Sequence, residues 1–187
     1  MESVGLYWYV LFVRTGLEER LVKILNNELN SQLATSFILE KIFVFRRQGK
    51  KTLFSKNCFP GYMFLESKLP APNFAAYMFP ILRRYDDIYR FLTNGDKQNY
   101  NNIAMNKEEQ SELSRLFGKE RRIDISTGFK DGDSIRVHSG PLAGHESKIL
   151  KINKNRQNAV IAINMFGNVS EVSVGFDVIE KMPHMQL

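Results

Sequence analysis

Two neighbouring pairs in the 187-residue sequence carry the residue types of nucleophilic or acid–base catalysis: His138 beside Ser139, and His145 beside Glu146. A base must reach the group it activates, and sequence neighbours on a strand point to opposite faces, so neither pair is poised to cooperate. The run GPLAGHES, Gly140 to Ser147, resembles a phosphate-binding loop superficially. The Walker pattern, however, needs four residues between its glycines and then Lys with Ser or Thr. Here three residues intervene and His145 follows. Gly140 and Gly144 are therefore turn glycines, and Pro141 fixes one φ. Cys58 is the single cysteine, which excludes an intrachain disulfide; with only His138, His145 and His184 beside it, no zinc set arises at ligand spacing. It reads as a small buried residue, with a reactive thiol as the alternative. Since no constellation satisfies the geometry of an active site, neither enzymatic activity nor a cofactor or metal is expected.

Cations and aromatics are what the sequence does supply. Lys and Arg number 26 against 20 Asp and Glu, a net charge of +6 that favours a polyanionic partner. Arg46, Arg47, Lys50 and Lys51 surround Gly49 in RRQGKK, either as a solvated turn or as a group that neutralises phosphates. Toward the C-terminus, Arg136, Lys148 and Lys151 lie in strand-like runs, and Lys154 and Arg156 in the turn NKNRQ. Fourteen Phe and seven Tyr exceed what a small core needs. Phe12, Phe59, Tyr62 and Phe64 therefore either pack a core or line an apolar docking pocket.

The elements that must position these residues follow from periodicity. YWYVLFV, Tyr7 to Val13, is apolar on both alternating faces, as in a central strand covered on both sides. Thr15 and Glu18 form a capping box ahead of a helix reaching about Leu29, with Leu17, Leu21, Ile24 and Leu25 at helical spacing. FILEKIFVF, Phe37 to Phe45, is one extended segment, and RRQGKK heads a hairpin. FPGYMFLE, Phe59 to Glu66, resumes a strand; Asn73 caps a short helix through Leu82; IYRFL, Ile88 to Leu92, is extended again. Asn106 and Glu109 begin a further helix whose apolar side is Leu113, Leu116 and Phe117.

From Gly118 to Lys130 the apolar periodicity fades into charges, Gly and Ser, the composition of a linker. Beyond it come five short strand-like runs, DSIRVH, ESKILKI, NAVIAINMF, NVSEVSV and FDVIEK, which suggest a small barrel. The apolar run Val4 to Val13 is too short to span a bilayer and has Glu2 instead of a basic flank, so neither signal peptide nor membrane anchor is expected. The cysteine usage fits a reducing, cytoplasmic setting.

WYVLFVRTG, then a helix, then FPGYMFLE resembles the NGN-domain signature of NusG-type transcription elongation factors. GDSIRVHSGPLAG and INMFGNVSEVSV resemble that family's KOW module, so the resemblance covers nearly the whole chain. It implies an α+β fold: an NGN domain over residues 1–117 with an antiparallel-rich sheet flanked by helices, a linker over 118–127, and a small SH3-like β-barrel over 128–187. Two departures stand out. Ser147 occupies a position where the KOW motif carries glycine, and Asp86–Asp87–Ile88 replaces a PGV-like turn.

Residue by residue, the resemblance implies that Phe12, Phe59, Tyr62 and Phe64 line a pocket for the β′ clamp helices of RNA polymerase. Arg14, Arg20, Arg83 and Arg84 fall near positions that face non-template DNA. For the KOW module it implies Rho or a ribosomal protein, as in general NusG factors, or a nascent RNA hairpin, as in LoaP-type antitermination paralogues. The chain's size, compact linker and SGPLAG loop are most similar to the LoaP type. Arg136, Lys148, Lys151, Lys154 and Arg156 are then the RNA-binding set. A KOW-type ribosomal RNA-binding protein is the alternative outside the family, and a monomer is expected.

Overall fold

A computed structural model describes residues 5–47, 50–95, 99–131 and 134–179, with the side chains of 45–47, 51 and 131 outside the description. In chain order the first elements are β1 (Tyr7–Val13), α1 (Glu18–Glu28), β2 (Ala34–Phe37), β3 (Glu40–Arg47), β4 (Lys50–Asn57), β5 (Tyr62–Ser67), α2 (Ala71–Leu82) and β6 (Ile88–Phe91). There follow α3 (Lys107–Phe117), β7 (Arg122–Ile123), β8 (Ser126–Asp131), β9 (Ser134–Ser139), β10 (Ile149–Asn153), β11 (Asn158–Met165) and β12 (Asn168–Val178). They gather into two compact units. One takes Met1–Leu39, Asn57–Leu113 and Met165–Asn168; the other takes Glu40–Lys56, Ser114–Asn164 and Val169–Leu187.

The first unit is built on an antiparallel sheet of order β2-β5-β1-β6. Tyr9, Leu11 and Val13 of β1 join Met63 and Leu65 of β5 in a core closed by Leu21 and Leu25 of α1 and Phe74 and Met78 of α2. The opposite face of β1 is covered at Trp8 and Val10, both buried, with the Trp8 ring edge-on to Phe37 and Phe64. This two-sided burial is what the unbroken apolar run YWYVLFV encodes. The Tyr9 hydroxyl donates to the Leu69 carbonyl at 2.6 Å while its ring stacks on Phe74. Burial, with Tyr7 alongside, pushes its phenol far above the ordinary tyrosine value.

Helix starts depart from their sequence signals. Thr15 is not the cap of α1, which begins at Glu18. The buried Glu18 carboxylate instead accepts the backbone N–H of Gly16 at 2.7 Å and of Gly61 at 2.6 Å, tying the β1–α1 turn to the turn ahead of β5. Likewise Asn73 lies inside α2, whose start is set by Pro70 and Pro72, where a missing N–H costs nothing. At α3 the signal holds: Asn106 Oδ1 accepts the Glu109 N–H at 2.8 Å. The Glu109 carboxylate accepts from Phe166 and Gly167, at 3.0 and 3.1 Å, in a left-handed turn (φ 51° and 73°) that belongs to the first unit.

In the second unit β3 and β4 form a ribbon with β7 in the order β4-β3-β7, and a five-stranded sheet runs β10-β11-β12-β8-β9. FILEKIFVF is thus two strands, β2 and β3, interrupted at Ile38 and Leu39. Residues 48–49 of the run RRQGKK, and the side chains of Arg46, Arg47 and Lys51, lie outside the described residues.

The polar stretch read as a linker carries β7, parallel to β3 from Glu40↔Arg122, and the start of β8, with Ile123 and Ser126 buried. Five strands do form the C-terminal sheet, but they are divided differently: NVSEVSV and the FDV of FDVIEK make one eleven-residue β12. Gly175 does not break it. A Cβ there would lie 2.4 Å from the Ile42 carbonyl oxygen, so glycine allows close backbone approach within a continuous strand. Since β12 pairs parallel with β8 as well as lying beside β11, the sheet curls as in a small barrel, and the fold is α+β.

Candidate functional site

The edge strand β6 departs from alternation in a way that creates a surface. Its pairing with β1 slips from Phe12↔Arg90 to Val13↔Ile88, leaving Tyr89 as an extra residue. Such a bulge re-aims side chains. Tyr89 and Arg90 are consequently both exposed, between buried Ile88 and Phe91. The Phe12 ring lies 5.7 Å from that of Tyr62 and 5.3 Å from that of Tyr89, and the Arg90 guanidinium sits 5.8 Å over it. Gly61, at φ +84°, keeps this corner open, because a Cβ there would press on Thr15 Oγ1 and the Phe12 ring at 3.1 and 3.4 Å. The result is a partly exposed aromatic patch with one cation over it.

Phe59 and Phe64 stand elsewhere. At 4% and 0% exposure they are core residues, packed ring to ring, and Phe64 also stacks on Phe37. The four aromatics singled out in the sequence therefore divide into a partly exposed pair, Phe12 and Tyr62, and a buried pair, Phe59 and Phe64. Tyr89 and Arg90 had no sequence signal as a pair. The available clue was Ile88 and Phe91, apolar at a spacing of three where an alternating strand requires two.

The arginines also divide. Arg14 lies 3.4 Å from Asp87, an exposed pair of little energetic weight. Arg84 is held by Glu28, which the Tyr85 hydroxyl also reaches; that hydrogen bond raises the Tyr85 phenol. Arg20 and Arg83 have no ion pair among the described residues. Arg20 lines a cleft along α1 with Lys23, Asn27 and Asn57, which Glu18 and Glu19 also line. Arg83 lines a groove at the end of α2 with Tyr89, Arg90 and Tyr100.

In the second unit, β10 is bulged between Ile149↔Ile161 and Lys151↔Val160, so Leu150 and Lys151 are both exposed. Lys154 and Arg156 occupy the turn to β11, where Asn153 Oδ1 accepts the Arg156 N–H at 3.0 Å. Lys151, Lys154 and Arg156 thus share one hairpin. Lys148 is half-buried in the 3-10 turn just before β10, and Arg136 is exposed on β9, at the other end of the strand order. His138 is the extra residue of a β8–β9 bulge, and Ser139 Oγ lies 2.7 Å from Thr127 Oγ1, so Ser139 has a structural partner in place of a base.

The family model described as "Transcription termination factor nusG" matches residues 6–113, more than half of the chain. The chain belongs to the NusG family. The "Transcription termination/antitermination protein NusG" of Thermus thermophilus is 25% identical over 187 residues, covering 95% of this chain and 100% of that relative. Its namesakes in Staphylococcus carnosus and Staphylococcus aureus are also 25% identical, over 97% of this chain and 99% of theirs. A solved structure titled "Domain interaction in Thermotoga maritima NusG" aligns over 91% of this chain and 94% of its own, at 21% identity and a TM-score of 0.49. In this NusG-family chain the aromatic patch and all four arginines fall inside the matched span, whereas Lys151, Lys154 and Arg156 lie beyond it. Among the described residues no helix is long and apolar enough to cross a membrane.

Proposed function

We propose that this NusG-family protein is a processive antitermination factor that docks its aromatic patch on the β′ clamp helices of RNA polymerase. Docking across the DNA channel would disfavour the clamp opening that accompanies pausing and termination. The observation that carries this reading is the Phe12–Tyr62–Tyr89 cluster: three rings partly in solvent on a rigid sheet, with an arginine over the centre. Aromatic residues backed by a packed core, with Arg alongside, are the composition of protein-docking hot spots. Arg14, Arg20, Arg83 and Arg84 then face non-template DNA. Arg20 and Arg83 are the two free to neutralise phosphates, because the others already hold carboxylates.

The second unit contacts nascent RNA in this reading. Lys151, Lys154 and Arg156 on the β10–β11 hairpin carry the contact, with Lys148 and Arg136 in support. Linkage to a polymerase-bound unit raises the effective concentration of the emerging transcript, so modest affinity suffices. A LoaP-type role follows from this. A general NusG role, coupling polymerase to Rho or a ribosomal protein, is the second reading, favoured by exposed Leu150 and Val169, at 53% and 68%, which offer apolar contact to a protein.

A gel-shift of the full chain on a structured leader hairpin and on a scrambled strand of equal length separates the two. RNA contact expects preference for the hairpin and affinity falling log-linearly with salt. Lys151→Ala with Arg156→Ala should weaken binding by about 1 kcal/mol per lost phosphate contact and lower the salt slope by about one unit for each. Flat salt dependence with an unaffected double variant would favour the Rho or ribosomal partner.

A further inference from the structure

We infer that Arg90 selects the partner of the aromatic patch by charge: the helical surface that covers Phe12 must bring a carboxylate to this guanidinium. This rests on the reading that the patch docks on the β′ clamp helices, and it adds the chemistry those helices must present there.

The Tyr62 and Tyr89 rings lie 5.7 and 5.3 Å from the Phe12 ring, and the Arg90 guanidinium sits 5.8 Å over it. A partner that shields Phe12 from solvent therefore shields the cation as well. Arg90 owes this place to the β6 bulge. Because Tyr89 is the extra residue, Arg90 stands opposite Phe12 and is exposed beside Tyr89, where a regular strand would send the two to opposite faces.

No carboxylate of this chain compensates it. Arg14 is paired with Asp87 and Arg84 with Glu28, whereas Arg90 has no ion pair among the described residues. Its hydrogen bond from Nη1 to the Phe91 carbonyl is long, at 3.4 Å, so most guanidinium donors are left for a partner.

In the free protein water solvates this exposed cation, and the ring face adds only a weak attraction. Docking removes the water. A charge buried without a partner weakens binding severely, while a carboxylate meeting the guanidinium fork forms a strong, directional pair. The patch thus accepts an apolar helix face with an acidic side chain at its margin and rejects one that is neutral or basic there. Arg90 also borders the groove lined by Arg83, but its guanidinium lies on the Phe12 ring, within the aromatic patch, which favours a protein carboxylate over a backbone phosphate.

The test is titration calorimetry of the full chain with an isolated clamp-helix fragment in which each Asp is changed to Asn, and each Glu to Gln, in turn. Arg90→Met keeps an unbranched side chain to lie on Phe12 and removes the charge. It should weaken binding about tenfold or more, as should neutralising one carboxylate of the fragment. The two losses should not add: on that neutralised fragment, Arg90→Met should bind as the parent chain does. Arg90→Glu should weaken binding to the unaltered fragment about a hundredfold or more, and regain about tenfold when the same carboxylate is replaced by Lys. Circular dichroism verifies the fold of each variant, with Arg90→Gln as a second neutral substitution.

Unchanged affinity for Arg90→Met and Arg90→Gln, or losses that add fully with every change in the fragment, overturns the charge selection, while Tyr62→Glu still reports separately on the docking reading. A parent chain that does not bind the fragment overturns both. Displacement of the fragment by oligo-dT from the parent chain but not from Arg90→Met assigns the counter-charge to a phosphate and overturns the choice of a protein carboxylate.

Discussion

Tyr62→Glu should abolish binding to an isolated clamp-helix fragment and leave the fold intact, whereas Phe64→Ala should destabilise the fold itself. Tyr62 is partly exposed beside Phe12, so a carboxylate there stays hydrated in the free protein and is stripped of water only on docking against an apolar partner. Loss of a hot-spot ring costs about 2 kcal/mol or more, which is at least about a thirtyfold fall in affinity. Phe64 is fully buried between Phe37, Phe59 and Trp8. Its truncation leaves a cavity and costs about 3–5 kcal/mol. Urea unfolding and titration calorimetry, run on both variants, read the two effects separately. A Tyr62→Glu protein that is folded and binds like the parent would count against the patch as the docking surface.

Gly140→Ala should be the most damaging single change in the second unit. Gly140 holds φ at +98°, and a Cβ built there would fall 2.6 Å from Ser126 Cα and 2.8 Å from the Ile125 carbonyl oxygen. Neither neighbour is the end of a flexible side chain, so backbone must move. Ser126 is fully buried, and its hydroxyl accepts the Leu142 N–H at 3.0 Å, so any shift also breaks the bond that seats the SGPLAG loop. Left-handed strain of about 1–2 kcal/mol and overpacking of about 1–3 kcal/mol together give about 2–5 kcal/mol. Gly144 is also at positive φ, but a Cβ there would meet nothing within 4 Å, so the same change should cost only the strain component. Comparing the two variants by thermal unfolding isolates the steric part; equal losses would show that the Ser126 contact is unimportant.

What the sequence disclosed, and what it hid, follows from how local each signal is. The double coverage of β1 was legible because every residue from Trp8 to Leu11 is apolar and buried, which no half-exposed strand tolerates. The start of α3 was legible because Asn106 caps within its own turn. Thr15 and Glu18 show the same spacing, yet Glu18 is drawn to Gly61, forty-three residues away, and a tertiary hydrogen bond overrides the local motif. Strand β7 was hidden because only Ile123 of its two residues is apolar and its pairing with β3 is non-local. At the candidate site, Phe12 and Tyr62 could be listed from motif and type but not separated from Phe59 and Phe64, since exposure depends on what covers each face. Tyr89 and Arg90 came to light only through a bulge, a one-residue slip in pairing that sequence alternation conceals.

The most direct measurement places a photo-crosslinking phenylalanine analogue at residue 12 or 62 of the full chain, mixes the protein with assembled transcription elongation complexes, and maps the covalent product. The account expects both positions to crosslink to the β′ clamp helices, with the product from residue 12 suppressed when Tyr62→Glu is introduced into the same chain. Efficient crosslinks to another polymerase surface, or to none while read-through of a terminator is still stimulated, would contradict it.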